Sequence, residues 1–311
     1  MTGLPLVTGA TGFAGSHLVE HLLVHLPAVA AWGNPSGRGI GSGDARVRWQ
    51  AVDLVDRGAV GAALAELRPS VIYHCGGSAH VGESFAEPER ALRINVLGTH
   101  HVLEGASAAR LDCPVLIVGS ALVYRQSADA LDEDQPIGPS SPYAVSKLAQ
   151  ELLALAATDR HVLLARPFNH AGPRQSPSFV TSSMAQQVAE IEAGLREPVL
   201  YVGNLEARRD ITDVRDTVRA YRLIVERGVP GRPYNVCSGE AHRIGDLLEA
   251  LIGLSRAAIA VRTDPSRLRP SDVPVILGDA TRLRLDTGWR PEIPIARTLQ
   301  DLLDYWRRRT Q

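Results

Sequence analysis

The sequence has few of the features that mark a disulfide-rich, nucleic-acid-binding or membrane-spanning protein. Its 311 residues include only three cysteines, Cys75, Cys113 and Cys237, far apart and without metal-ligand spacing, so we expect neither a disulfide framework nor a metal site. The formal net charge is -1 with both signs scattered, which does not favour nucleic acid as a partner. No apolar run is long enough to span a bilayer, and no signal peptide is visible. We therefore expect a cytoplasmic protein that contacts no membrane.

A glycine-rich turn follows the first predicted strand. Leu4 to Val7 is a short apolar segment, and Gly9, Gly12 and Gly15 follow it directly, before a helical apolar pattern. In a strand, turn and helix unit, such glycines let the backbone approach a pyrophosphate whose charge the helix N-terminus stabilises. The turn can also be a plain connection, but its position favours dinucleotide binding, with Thr11 and Phe13 beside the glycines.

Two further segments bear on the identity of the dinucleotide. The second predicted strand, Val29 to Trp32, is not followed by the Asp or Glu that usually holds the ribose of NAD. Arg38 stands in that loop and can accommodate the extra phosphate of NADP, although a lone arginine there can also be simply solvated. Asp53 and Leu54 end the third predicted strand, where the adenine is expected. The sequence favours NADP and leaves NAD open.

Three polar residues in the middle of the chain form a candidate catalytic set. Ser141 and Pro142 predict a helix start, which places Tyr143 and Lys147 four residues apart on one helical face. An ammonium beside a phenol lowers its pKa from about 10 towards a value useful for proton transfer. Ser120 follows a predicted strand at the edge where open α/β sheets bind ligands, so its hydroxyl can hydrogen-bond a substrate carbonyl. A surface Tyr and Lys on an amphipathic helix is the alternative.

The order of the predicted elements gives the fold class. Six strands alternate with helices up to residue 165, which predicts a doubly wound parallel α/β sheet of the Rossmann type. The remaining elements are short and mixed, so we expect a Rossmann domain over residues 1–168 and a smaller mixed α/β substrate domain over 169–311. The part around 213–236 is expected to pack back on the first domain. Arginines in the second half would suit a diphosphate, namely Arg208, Arg209, Arg267 and Arg269.

The glycine turn, Ser120 and Tyr143-x-x-x-Lys147 together resemble the extended short-chain dehydrogenase/reductase family, over essentially the whole chain. Segments of the second half resemble the GDP-mannose branch of that family, which contains a 4,6-dehydratase and a 4-keto reductase. These segments are Arg166 to Pro173, Ser178 to Thr181, Val202 to Ala207, Arg209 to Asp216, Tyr234 to Gly239 and Leu268 to Pro274.

The resemblance implies a role for each site residue. Tyr143 would be the acid/base, Lys147 would bind the nicotinamide ribose and tune Tyr143, and Ser120 would polarise the reacting oxygen. Further contacts to NADP or NAD would come from Cys75, Gly76, Gly77, Asn95, Gly119, Pro167, Asn169 and His170. A nucleotide-diphosphate sugar, with GDP favoured, would contact Ser78, Ser120, Asn169, Phe179, Val180, Val202, Asn204, Arg209 and Arg269. Gln186 stands where relatives often have a lysine, which leaves the base open.

The same resemblance separates the candidate reactions. A 4,6-dehydratase needs an acid/base directly after the active-site Ser or Thr, and Ala121 and Leu122 cannot move a proton. We therefore expect a reductase of the C4 keto group of GDP-4-keto-6-deoxy-D-mannose, giving GDP-D-rhamnose or its C4 epimer. The alternative is an NAD-dependent 4-epimerase, which the segment from Ala79 to Ser84 also resembles. A binding or regulatory protein is disfavoured because Tyr143 and Lys147 are both present. The resemblance further implies a homodimer through helices at Pro88 to Ala109 and Pro142 to Ala157.

Overall fold

The first half of the chain alternates strands and helices, as the apolar pattern predicts. The structure is a computed structural model and describes residues 3–35, 43–157, 161–267 and 273–310. Its first elements are β1 (Pro5–Thr8), α1 (Phe13–His25), β2 (Val29–Gly33), β3 (Val47–Ala51), α2 (Arg57–Leu67), β4 (Val71–His74), α3 (Val81–Ala86), α4 (Pro88–Leu92), a π-helical segment (Arg93–Leu97), α5 (Gly98–Ala108), β5 (Val115–Val118), a 3-10 turn (Ala121–Val123), α6 (Pro142–Leu155) and β6 (Val162–Pro167).

The second half consists of shorter strands and five helices within the described residues. They are β7 (Asn169–Ala171), α7 (Val180–Glu192), β8 (Val199–Val202), β9 (Arg208–Asp213), α8 (Val214–Arg227), β10 (Pro233–Val236), β11 (Ala241–Arg243), α9 (Ile244–Gly253), β12 (Ala260–Thr263), a 3-10 turn (Pro265–Arg267), β13 (Val275–Ile276), α10 (Thr281–Thr287) and α11 (Ile295–Thr310). The sequence did not predict β7, β9, β11 and β13, which are short or carry little apolar periodicity.

A parallel sheet organises the fold. Across the described ranges it has seven strands in the order β3, β2, β1, β4, β5, β6 and β10, and every neighbouring pair is parallel. This confirms the predicted doubly wound α/β class. The seventh strand, β10, comes from the second half of the chain, whereas the sequence suggested a sheet of six strands.

The two faces of this sheet are buried by different helices. Successive strand residues point to opposite faces, so Leu6 and Ile72 belong to the core under α2 and α5, while Val7 and Tyr73 belong to the core under α1 and α8. Both faces are thus covered, as a parallel sheet requires.

The remaining second-half elements form a separate apolar cluster. Helices α7, α9 and α11 pack on one another around Leu248, Leu251 and Leu302, which are buried. Strand β9 lies at the centre of a small mixed sheet with β7, β11 and β13. Helix α8 packs against α1 and β10 pairs with β6, while a domain boundary at residues 168 and 169 remains a prediction. Among the described helices, none combines the length and the apolar character needed to cross a membrane.

Two tyrosines that join α8 and β10 to the core differ in their hydrogen bonding. Both are fully buried, but the Tyr234 hydroxyl donates to Asp286 at 2.7 Å and accepts from the Val229 N–H at 2.9 Å. The Tyr221 hydroxyl has no hydrogen-bond partner among the described residues. We predict that Tyr234→Phe lowers the free energy of unfolding by about 1–2 kcal/mol, because it leaves polar partners unsatisfied. Tyr221→Phe is the matched control and should cause no loss in urea unfolding; equal losses would contradict the prediction.

Candidate active site

A long cleft runs along the carboxyl edge of the parallel sheet and between the two halves of the chain. Its volume is about 1790 Å³, and both the glycine turn after β1 and the N-terminus of α7 line it. Open α/β sheets bind ligands at this edge, where the strand order reverses. In this sheet the reversal lies between β1 and β4, which places the cleft at the expected position.

The glycine turn has no room for side chains at two positions. A Cβ added to Gly15 would lie 2.2 Å from the carbonyl oxygen of Gly9, and one added to Gly9 would lie 2.6 Å from the Cα of Gly76. Gly9 also has a φ of 64°, which glycine adopts without strain. Helix α1 begins after Gly12 without a side-chain cap, so its first N–H groups can receive an anion in the cleft.

The candidate catalytic residues meet in the cleft. Ser141 accepts a hydrogen bond from the Ala144 N–H at 3.1 Å, with Pro142 at the first helical position, which confirms the predicted start of α6. This start places the side chains of Tyr143 and Lys147 in the cleft beside Ser120, which follows β5. The Ser120 hydroxyl lies close enough to the Tyr143 phenol to favour its ionised form.

The electrostatics of this set correct one expectation. The pKa of Tyr143 is raised, not lowered, because burial of the phenol outweighs the favourable interaction with Ser120. The ammonium of Lys147 instead donates to the carbonyl oxygen of Val118 at 2.8 Å and to Gln150 Oε1 at 2.9 Å. Burial lowers the pKa of Lys147 to about 8. The predicted lowering of the Tyr143 pKa by Lys147 is therefore wrong for this structure.

Asn95 lies behind the cleft rather than in its wall. Its side chain accepts from the Ser78 N–H at 2.8 Å and donates to the Ser78 carbonyl at 3.2 Å and to Ser146 Oγ at 2.8 Å. It is fully buried and lies in the π-helical segment, a geometry often found at functional sites. Asn95 does not line the cleft, so in this structure it fixes the loop of Ser78, and the expected direct cofactor contact has no support.

The other predicted cofactor residues within the described ranges line the cleft. They are Gly9, Thr11, Gly12, Phe13, Gly15, Asp53, Leu54, Cys75, Gly76, Gly77, Gly119, Pro167, Asn169 and His170. The ring of His170 stacks on that of Phe13, with centroids 5.6 Å apart. Arg38, on which the preference for NADP partly depended, lies outside the described residues.

The predicted substrate residues line the same cleft from the side of the second half. Ser78, Phe179, Val180, Val202, Asn204 and Arg209 all face it. Arg267 also lines the cleft, where it donates to Ser183 at 3.2 Å, whereas Arg208 does not line it. Arg269 lies outside the described residues.

Gln186 does not line the cleft. It lines a shallow groove on the outer side of α7 together with Trp306 and Arg309, while the next residue, Gln187, lines the cleft. Gln187 makes a two-point contact with the backbone of Tyr201, donating to its carbonyl at 3.2 Å and accepting its N–H at 3.0 Å. The preference for guanine therefore stays a prediction.

Several cleft residues gave no local signal in the sequence. His80 joins the two halves, since its ring packs on Phe179 with centroids 5.1 Å apart and its Nδ1 lies 3.3 Å from Ser178 Oγ. Arg174 lines the cleft with a φ of 75° and pairs with Glu20. A positive φ at a non-glycine residue is uncommon, and no sequence pattern predicts it for Arg174.

The doubly wound sheet, the glycine turn and the Ser120, Tyr143 and Lys147 set together define a short-chain dehydrogenase/reductase of the extended type. Within that class, the family model for GDP-mannose 4,6 dehydratase matches residues 6–302. The chain belongs to that family.

Individual proteins similar to this chain agree with this assignment. The chain is 36% identical to GDP-6-deoxy-D-mannose reductase of Pseudomonas aeruginosa over 317 residues, covering 100% of this chain and 99% of the relative. It is similar to the structure of RMD from P. aeruginosa complexed with NADPH, with a TM-score of 0.88 and 35% identity over 99% of this chain and 100% of that one. A putative epimerase from Burkholderia cenocepacia gives a TM-score of 0.87 and 33% identity over 99% of both chains.

The contact between Gly77 and Asn95 gives a test of the loop behind the cleft. A Cβ added to Gly77 would lie 2.6 Å from Asn95 Oδ1, so Gly77→Ala must displace the amide that holds Ser78. We predict a loss of about 1–3 kcal/mol in the free energy of unfolding. Gly61→Ala in α2, with nothing within 4 Å of the added Cβ, should be neutral or stabilising. Urea unfolding of both variants checks this, and an unchanged stability for Gly77→Ala would contradict the geometry.

Proposed function

We propose that this enzyme reduces the C4 keto group of GDP-4-keto-6-deoxy-D-mannose with NADPH or NADH, forming GDP-D-rhamnose or its C4 epimer. The observation that carries the proposal is the meeting of the Ser120 and Tyr143 side chains in the cleft at the carboxyl edge of β5. The 36% identical relative that is named as a GDP-6-deoxy-D-mannose reductase supports the substrate.

Each catalytic residue has a distinct role in this proposal. The nicotinamide cofactor supplies the hydride when bound. Ser120 would hydrogen-bond the substrate carbonyl oxygen, and Tyr143 would donate the proton to that oxygen. The raised pKa of Tyr143 keeps the phenol protonated, which suits a general acid. Lys147 would hold the nicotinamide ribose.

The residues after Ser120 argue against dehydration of GDP-mannose. A dehydratase must remove the C5 proton and help water leave C6, which needs a further proton-transfer group beside the active-site Ser or Thr. Ala121, which is buried, and Leu122 occupy the two following positions, and neither can transfer a proton.

A 4-epimerase with retained NAD is the second candidate. The same three catalytic residues suit reversible oxidation at C4, and the similarity to a putative epimerase favours this alternative. The two functions differ in whether reduced cofactor is consumed.

Single-turnover oxidation of NADPH, and separately of NADH, with GDP-4-keto-6-deoxy-D-mannose tests the proposal. We expect stoichiometric oxidation in the wild type, and a rate lower by about 10²- to 10⁴-fold in Tyr143→Phe, because the phenolic proton donor is lost. Tyr234→Phe is the control for a buried tyrosine outside the cleft and should keep the rate. The product's C4 configuration distinguishes GDP-D-rhamnose from its epimer. No oxidation, together with bound NAD and C4 epimerisation of UDP- or GDP-hexoses, would establish the epimerase instead.

We also propose a cytoplasmic homodimer. Large apolar side chains on α4, α6 and the π-helical segment are exposed, namely Leu92, Leu97, Val145, Leu152 and Leu155. Exposed apolar patches of this kind often mark protein interfaces, and two copies packing these helices together would cover them.

The apolar surface of α6 provides a test of assembly. Leu152 is 58% exposed in the single chain, so Leu152→Glu should place a charge in the interface and shift the protein to a monomer. Leu285→Glu, at a position 75% exposed on α10, is the control and should leave the mass unchanged. Light scattering after gel filtration measures both, and a wild-type monomer would refute the dimer.

A further inference from the structure

A chain of buried polar side chains runs behind the cleft and ends at Lys147. Its members are Thr8 at the end of β1, His74 at the end of β4, Thr99 in α5, and Gln150 and Lys147 in α6. The first four have no exposed surface and Lys147 is 6% exposed. Most buried polar groups in proteins are hydrogen-bonded, and the limited number of donors and acceptors on each of these side chains fixes the direction of each bond.

The direction is fixed at Thr99. Its hydroxyl donates its single hydrogen to the carbonyl oxygen of Asn95 at 2.7 Å. It can therefore only accept from Gln150 Nε2 at 2.8 Å and from His74 Nε2 at 3.0 Å. The amide of Gln150 must then present its nitrogen to Thr99 and its oxygen to Lys147.

The same reasoning fixes the tautomer of His74. Because His74 Nε2 carries the hydrogen that Thr99 accepts, Nδ1 must accept from the Thr8 hydroxyl at 2.8 Å. The Thr8 oxygen in turn accepts the Gly76 N–H at 3.1 Å. His74 stays neutral, since burial and then the charge of Lys147 lower its pKa to about 3.

These hydrogen bonds determine which donors of the Lys147 ammonium are occupied. It has three N–H donors, of which Val118 O and Gln150 Oε1 accept two at 2.8 and 2.9 Å. Lys147 lines the cleft, and a Cβ placed on Gly77 would lie 3.6 Å from Nζ. One N–H of Lys147 thus remains for a group bound in the cleft.

We propose that Gln150 is a positioning residue, whose amide, oriented by Thr99 and His74, holds the Lys147 ammonium so that one N–H faces the bound cofactor. The inference deepens the proposed function, because it assumes that NAD(P)H binds in the cleft. Gln150 does not line the cleft, so it acts through Lys147 and not by contact with the ligand.

The affinity for NADPH as a function of pH measures the state of Lys147 without any sugar substrate. The other titratable groups around Nζ do not change charge between about pH 7 and pH 10. Cys75, directly after β4, has a pKa raised by burial to about 12, His74 is already neutral, and the pKa of Tyr143 in α6 is raised above its ordinary value. Wild-type affinity should therefore weaken above about pH 8, where Lys147 loses its proton.

The fall in NADPH affinity at high pH is called the alkaline limb below. Two substitutions at Gln150 should move the pH of this limb in opposite directions. Gln150→Met removes the acceptor for the ammonium, which disfavours the charged form and moves the limb down by about one pH unit. Gln150→Glu places a carboxylate against the ammonium and moves the limb up. Thr99→Val frees the amide to rotate and should shift the limb in the same direction as Gln150→Met, which keeps the test available if the Gln150 variants do not fold.

Fluorescence titration of the purified variants with NADPH, repeated across the pH range, measures where the alkaline limb lies in each variant. Tyr234→Phe, which removes a buried hydrogen bond outside the cleft, should lower stability and leave the limb in place. If Gln150 served only stability, its variants would unfold more easily but their alkaline limb would stay at the wild-type pH. That result would overturn the inference and leave the proposed reductase function standing. A wild type that binds neither NADPH nor NADH would instead overturn the proposed function, and the inference with it.

Discussion

The position of the catalytic helix depends on a buried positive charge. Burying an ammonium is costly unless acceptors surround it, and Lys147 is 6% exposed. Its acceptors come from the end of β5 and from Gln150 one turn further along α6. Helix α6 can therefore occupy only the position in which Lys147 reaches the backbone oxygen of Val118, two residues before Ser120. The same contact sets the distance between the Ser120 segment and the helix of Tyr143.

A buried ion pair also fixes the position of helix α6 against the sheet. Glu151, next to Gln150 in α6, pairs with Arg166 at the end of β6, and both are nearly fully buried. Arg166 Nη1 also donates to the Tyr124 hydroxyl at 2.9 Å, and that hydroxyl donates to Asn235 in β10 at 2.7 Å. Because Tyr124 closes the turn that begins at Ser120, this pair ties Ser120, α6 and β10 together. Strand β10, although it comes late in the chain, is thus part of the support of the active site.

The sequence predicted the features that local chemistry determines. The glycine turn, the Ser141 and Pro142 helix start, and the apolar strands were found because periodicity, capping and steric requirements act over a few residues. Other features depend on partners far along the chain. They are the addition of β10 beside β6, the burial of Asn95 in a π-helical segment and the contact of His80 with Phe179. No local pattern specifies those partners. The raised pKa of Tyr143 was missed for the same reason, since burial depends on the tertiary structure and here outweighs the interaction with Ser120.

Membership of a dehydratase family does not by itself determine the reaction, because the sheet, the cofactor turn and the Ser, Tyr and Lys set serve several chemistries. Reduction of a 4-keto sugar needs one hydride and one proton, and Tyr143 can deliver that proton. Dehydration needs proton transfers at C5 and C6 in addition, and the positions after Ser120 offer none. Epimerisation at C4 uses the same single acid/base as reduction, so the catalytic residues cannot separate these two reactions. They differ in the cofactor, because a reductase must release the oxidised dinucleotide after each turnover, whereas an epimerase retains it. Two contacts that join the halves of the chain, of His80 with Phe179 and of Arg174 with Glu20, lie apart from the residues that perform the chemistry.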